Sequence, residues 1–449
     1  MKTGKKYIAL CMMLAAASLT FTGCSFEDDD YFTESASLRI EHANDQIQTI
    51  LSAPSNGWVM QYYCGTSVAH FEGFNLFAAF DKNQKVTLAG NHRMLRDGNA
   101  GKYTEYESVY SLLLEDGPVL AFNTWNDVLS PFVDPVSPWL APGTLSKDGA
   151  GMAGDNNFVV MSYNANEVIL RGERYGAQVR LVPCDREWED YIAACDKTRN
   201  DLTNTTITSY YITAGTDTLY LTGLRNGRVR YSERLDDPLK NDSLASLFTP
   251  TGIRFERETS FGNNTPSGYT FQEFTVAADS TCLLSSDGTV KISAIWDKQF
   301  SETPDIWTID TLSLTDDLKA LCRAIDAALT AANRNNSLAR IGIGRTTNAN
   351  NVTGLVVEWY TNTRKTSRAM GGIAIKRSMP ASSQVTYTTD EEAIMDNNMR
   401  GRKQNVIDAA LQFALALNGT YNMTPDSYFN PKRVTLNAVS GNKALTITR

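Results

Sequence analysis

Hydrophobic spacing defines the first element. In residues 34–53, Ala36, Ile40, Ala43, Ile47, Ile50 and Leu51 recur three and four apart, and Pro54-Ser55-Asn56-Gly57 ends the run. This is one face of a helix followed by a breaker. The pattern then changes to short β-prone runs at 58–63, 74–80, 86–89, 109–114 and 119–122, with a hairpin turn at Asp81-Lys82-Asn83-Gln84. Further runs at 158–162, 167–171 and 177–182 are parted by Asn164-Ala165-Asn166 and Arg174-Tyr175-Gly176. Short strands joined by tight turns predict an antiparallel meander.

The same order begins again. Trp188, Tyr191, Ile192 and Cys195 share a helix face, which makes Cys195 a core residue. Strands are predicted at 209–214, 218–224, 227–233, 252–256, 269–276, 281–284 and 290–296, with a short helix over 237–247. Helix-then-meander thus occurs twice, without a convincing repeat of residues. A third unit opens on a helix capped by Thr315 and carrying Leu318, Leu321, Cys322, Ile325, Ala328, Leu329 and Ala332 at i, i+3, i+4, i+7. Strands are predicted next at 340–344, 355–360 and 371–376. Thr389-Asp390-Glu391-Glu392 reads as a capping box. A helical run through Val406, Ile407, Ala410, Leu411, Ala414 and Leu417, broken near Gly401, ends at Gly419, and a final strand spans 434–448. The expected fold class is α+β and β-rich, with antiparallel meanders each preceded by a helix. The units are 34–200, a second β-rich unit 201–312, and an α+β unit 313–449.

The N-terminus changes the picture. Lys2, Lys5 and Lys6 precede an apolar stretch over 7–22, too short to span a bilayer comfortably. Residues 1–23 read as a signal peptide. Leu19-Thr20-Phe21-Thr22-Gly23-Cys24 resembles a bacterial lipobox, with Phe21 where leucine is usual. The resemblance implies lipid on Cys24. Ser25-Phe26-Glu27-Asp28-Asp29-Asp30 makes 24–33 a solvated acidic tether. Such a cluster behind the lipid cysteine looks like a surface-export signal of Gram-negative lipoproteins. The expected location is therefore the outer membrane, facing outward, with the periplasmic leaflet as the alternative.

Composition excludes several classes. The net charge is −8 over 449 residues, and no basic patch interleaved with aromatics occurs, so nucleic acid is not an expected partner. Beyond Cys24 lie Cys64, Cys184, Cys195, Cys282 and Cys322, an odd number that argues against a disulfide framework. His42, His70 and His92 form no metal-binding motif, so no metal is expected. Gly149, Gly151 and Gly154 match G-x-G-x-x-G, with Glu173 19 residues further on. Such a turn needs a strand before it and a helix after it. Here a loop with Pro138 and Pro142 precedes and a β-prone run comes after, so neither a nucleotide nor any other cofactor is expected.

Asn56-Gly57-Trp58-Val59-Met60-Gln61-Tyr62-Tyr63, the run 117–126 ahead of Asp134-Pro135, Gly154-Asp155-Asn156-Asn157-Phe158 and Arg171-Gly172-Glu173-Arg174 together resemble a lipoprotein family numbered 4302 among domains of unknown function. The similarity is firmest from Cys24 to about 200 and looser beyond. It implies a setting beside TonB-dependent outer-membrane importers and their lipoprotein partners of the starch-utilisation (SusC/SusD) type, hence nutrient uptake. It supplies no catalytic residues. For an accessory protein binding glycan or peptide, Trp125 and Trp139 flank a proline-rich loop, with Asp127 and Asp134 as hydroxyl partners. The ordinary role of such residues is packing or loop anchoring. A hydrolase with a glycosidase-like carboxylate pair is an alternative, although no nucleophile elbow stands out. A purely structural or adhesive surface lipoprotein is another.

Overall fold

The computed structural model describes residues 35–65, 71–134, 151–203, 209–232, 243–260, 268–296, 305–347, 350–381 and 383–449. Helix α1 (Ala36–Leu51) precedes nine strands: β1 (Trp58–Tyr63), β2 (Phe74–Phe80), β3 (Lys85–Gly90), β4 (Thr104–Val109), β5 (Ser111–Leu114), β6 (Pro118–Ala121), β7 (Asn157–Asn164), β8 (Glu167–Gly172) and β9 (Gln178–Pro183). Their spatial order is β4-β3-β2-β1-β9-β8-β7-β6-β5, antiparallel throughout. The two edges, β4 and β5, are separated by one residue, Tyr110. They are halves of a single bent run, so the sheet curls until its edges meet. Tyr110 is 2% exposed, lies edge-on to Phe80 at 5.0 Å and donates its hydroxyl to the Asp81 carbonyl.

The second sheet is a closed barrel. Helix α2 (Ser130–Val133) lies between β6 and β7, and α3 (Trp188–Leu202) leads into β10 (Ser209–Ala214). The ring continues through β11 (Asp217–Thr222), β12 (Arg228–Ser232), β13 (Ser243–Thr249), β14 (Gly252–Ser260), β15 (Thr270–Val276), β16 (Leu283–Ser285) and β17 (Val290–Ala294), which pairs back with β10. The third sheet is formed by β18 (Trp307–Ile309), β19 (Ser337–Arg345), β20 (Thr353–Tyr360), β21 (Arg368–Ala374), β22 (Lys376–Ser378), β23 (Gln384–Thr388), β24 (Gly419–Pro425), β25 (Arg433–Ala438) and β26 (Ala444–Thr448). Its order, β21-β20-β19-β18-β26-β25-β24-β23-β22, repeats the first sheet position for position. Again one residue, Ile375, joins the two edge strands. The chain is thus three successive meander rings. Closure of the middle barrel removes the exposed edges on which sheets aggregate, whereas the first and third sheets keep β4 and β5, and β21 and β22, as edge strands joined only through Tyr110 and Ile375. Helix α4 (Asp316–Ala332) comes after β18, and α5 (Asn397–Arg400) and α6 (Gln404–Ala416) lie between β23 and β24, with α4 packed on α6. The sequence boundary at 312/313 falls between β18 and α4, within the third sheet's own span.

β1 is buried at all six positions. Trp58, Met60 and Tyr62 fill the first ring, while Val59 joins the core shared by the second and third rings and Tyr63 packs on Ala245 and Leu247. A strand covered on both sides loses polar alternation. Phe77 stacks on Trp188 of α3 at 5.5 Å, and Trp188 donates to the Asn56 carbonyl at 2.7 Å. Arg180 of the first ring and Arg254 of the second share Glu273. The Asn430 side chain donates to the Asn200 carbonyl at 2.9 Å and Phe429 faces Tyr210 at 6.4 Å, joining the third ring to the second.

Several expected elements differ. The run 109–114 is broken at Tyr110 because its two halves pair with different strands. Of the helix expected over 237–247, residues 237–242 lie outside the described residues and 243–247 belong to β13 (Ser243–Thr249). Its short apolar run carries no period of its own, and pairing with β12 and β14 decides it. The span 434–448 is a hairpin of β25 and β26. No helix starts at Thr389, whose N–H goes to Asn418 Oδ1; Asp396 caps α5 instead, accepting from the Met399 N–H at 2.8 Å. Thr315 is the α4 cap residue, but its side chain makes no capping bond; Asp316 and Asp317 fill the first turn.

Candidate functional site at the long-loop end of the first ring

Successive connections in an up-and-down ring alternate between its ends. In the first ring the connections at one end are short: 81–84, 115–117 and 165–166. Helix α1 lies across that end. Asn44 donates to the Leu112 carbonyl, Gln48 to that of Lys82, and Tyr163 to Gln46, while Ile47 and Leu51 plug the core. All the long connections, 64–73, 91–103 and 122–156, emerge at the other end together with the turn 173–177. Loops gathered on a rigid ring are where binding residues are usually carried.

Asp155 ties two of these connections together. It is 3% exposed. Its Oδ1 accepts the N–H groups of Arg174 and Tyr175 at 2.9 and 3.1 Å, and its Oδ2 that of Ala177 at 3.0 Å. A Cβ on Gly172 would sit 1.9 Å from Oδ2, and one on Gly154 2.6 Å from both the Phe132 carbonyl and the Tyr62 hydroxyl. That hydroxyl in turn receives the Asp155 N–H at 2.9 Å. The Gly-Asp and Arg-Gly-Glu-Arg phrases are therefore the two halves of one clamp. Beyond Gly154 the chain enters β7, not a helix, and Gly149 lies outside the described residues.

Trp125, Asp127 and Asp134 come together. Trp125 is 48% exposed. Its Nε1 donates to Asp127 Oδ1 at 2.9 Å, the Arg96 guanidinium lies 4.6 Å from its ring centre, and Arg96 pairs with Asp134 at 2.5 Å. Asn126, 1% exposed, accepts the Leu129 N–H and holds the loop. The indole is thus presented in a set orientation, its cation–π partner covering the ring. Trp139 and Cys24 lie outside the described residues. Arg96 escaped the sequence reading, because its meeting with Trp125 depends on two connections remote in sequence sharing one end.

His92, on the 91–103 connection, is 6% exposed and packed against Phe132 at 4.8 Å. Burial pushes its pKa down to about 4, with only a hydrogen bond to the Val128 carbonyl opposing. The folded value lies below the ordinary 6.5. Between these pH values the unfolded chain takes up a proton that the folded one refuses, so stability is full above the ordinary value and falls on acidification. Urea unfolding from pH 7 to pH 4 is expected to show a loss of about 2–3 kcal/mol from this group. His92→Gln, which does not titrate, removes that component.

The other groups offer little reactivity. Among the described residues no cluster of three or more His, Cys, Asp or Glu could hold a metal. The described cysteines are free thiols. Burial pushes Cys195 up to about 12, Cys322 up to about 11 and Cys64 well above its usual range, so these three stay protonated at neutral pH and are poor nucleophiles. Glu115 faces Glu173, whose like charge raises its carboxyl, but both are surface groups.

The family model described as Domain of unknown function (DUF4302) matches residues 28–278. No curated protein matches. Solved structures similar to the chain include the DNA polymerase sliding clamp from Pseudomonas aeruginosa with ligand, at 8% identity and TM-score 0.12, covering 91% of this chain and 96% of that one. The DNA polymerase III subunit beta from the same organism gives 9% identity and TM-score 0.13, over 91% and 97% of the two chains. At such TM-scores the likeness carries no argument.

Proposed function

Because this chain belongs to the family described as Domain of unknown function (DUF4302), a description that assigns no activity, we propose its role from its own residues: a lipid-anchored outer-membrane protein that binds ligand for a nutrient uptake system. The observation that carries this reading is the asymmetry of the first ring. Ser35, just past the acidic segment 24–33, caps the helix that plugs the short-turn end. A tether ending there leaves the opposite end, with Trp125 and its long connections, facing away from the membrane. A half-exposed indole held by Arg96 and Asp127 suits stacking on a sugar ring or gripping a peptide side chain.

Growth with an alkyne-tagged fatty acid, and then protease treatment of intact cells, tests the anchoring half. Label on the wild type and none on Cys24→Ala, with the wild type cut on intact cells, is the expected result; an unlabelled, protected wild type contradicts it. Trp125→Ala is expected to shift the melting midpoint by no more than about 2 °C, since surface changes cost little, while weakening capture of the system's nutrient about tenfold, the scale of a lost aromatic anchor. Undiminished capture would move the binding surface elsewhere.

A further inference from the structure

The geometry points to a second binding site, a cleft for a neutral, sugar-ring-sized ligand between the first ring and α3. The inference deepens the ligand-binding half of the proposed function and rests on that half, not on attachment to an importer. The cleft holds about 240 Å³ and is walled by Glu72 and Gly73 with the start of β2, by the connection at 91–93, by α3 and by β13. It is smaller than a drug-sized pocket and lies at a junction of two folding units, where ligand sites concentrate.

Its lining has hydrogen-bonding capacity that the fold leaves unused. Asn75 Nδ2 donates to the Phe248 carbonyl at 2.8 Å, which orients the amide and leaves Oδ1 as an acceptor without a donor. His92 Nε2 lies 2.8 Å from the Val128 carbonyl, which can only accept, so that nitrogen carries the proton. The ring is neutral, so Nδ1 is a second idle acceptor. Arg199 Nε is an idle donor. A vicinal pair of hydroxyls supplies donors and acceptors together, as two acceptors and a donor require.

Charge selects against ions. Arg199 pairs with Glu72 at 3.3 Å while its guanidinium lies 5.0 Å from the Phe248 ring centre, and Arg93 and Asp196 add one charge of each sign. The wall is balanced, so neither an anion nor a cation gains. The three idle atoms are shielded from solvent. A ligand therefore engages them only as the side chains lining the cleft rearrange.

Saturation-transfer NMR on the full chain in detergent tests this, with D-glucose, D-galactose, D-mannose, N-acetyl-D-glucosamine, L-serine and D-glucuronate as separate probes. Transfer to at least one of the neutral sugars is expected. Arg199→Lys keeps the charge pair but loses the Nε–H, and Asn75→Ala loses the acceptor; each is expected to weaken affinity about fivefold, the scale of one lost hydrogen bond. A melting midpoint kept near that of the wild type in Arg199→Lys separates this from misfolding. No transfer to any neutral sugar, preference for serine or glucuronate, unchanged affinity in both variants, or loss in Trp125→Ala instead would overturn the site. Failure to find an importer would leave this result standing, so the two readings fail separately.

Discussion

Asp155→Ala is expected to lower the melting midpoint of the protein by about 10 °C, from a loss of about 3–5 kcal/mol. The carboxylate takes three backbone N–H groups of the 174–177 turn, and alanine leaves all three without a partner beside a buried cavity. Each buried group so orphaned costs about 1–3 kcal/mol, and water reaching the turn reduces the total. Gly172→Ala strikes the same clamp from the other side, because its Cβ would overlap the carboxylate. Differential scanning calorimetry checks both. If Asp155→Ala melts within 2 °C of the wild type by that measure, the clamp does not hold the connections together, and the rigid long-loop end loses its support.

Trp188→Ala is expected to cost about 3–4 kcal/mol, the usual range for truncating a large packed aromatic. The indole stacks on Phe77 at 5.5 Å and holds the Asn56 carbonyl at 2.7 Å, so it joins α3 to the outer face of the first ring. Its loss also loosens the bond from the Cys184 N–H to the Gly57 carbonyl. Gly57 has a φ of +63°, and a Cβ there would lie 2.7 Å from the Ala78 carbonyl, so this corner has no slack. Hydrogen exchange is expected to quicken at Cys184 and along α3 while the interior of the first ring, around Trp58 and Phe158, keeps its protection. Uniform loss of protection would mean that the rings unfold as one body.

Local patterns were legible where local forces decide. The face of α1, the turns at 81–84 and 164–166 and the stripe of α4 come from spacing and turn chemistry, and the structure has them. The β-rich antiparallel class came from the number and spacing of short runs. Ring closure was not legible, because it rests on pairings between β1 and β9 or β18 and β26, far apart in the chain. Nor was the break at Tyr110, where apolar residues continue while the pairing partner changes. Helix-then-meander was visible twice in the sequence; the repeated order of the first and third sheets emerged only from pairing. At the candidate site, Trp125 and Asp127 are two residues apart and their contact is local. Arg96 with Asp134, and the meeting of Asn75, His92 and Arg199, are products of tertiary packing.

The central claim is a lipid-anchored binder that serves an uptake complex, and the most direct test is mild-detergent purification of the tagged protein from its own outer membrane with mass spectrometry of what accompanies it. The account expects a TonB-dependent importer and its lipoprotein partner, both lost when Cys24→Ala frees the chain from the membrane. Recovery of the protein alone, still lipidated, would contradict it.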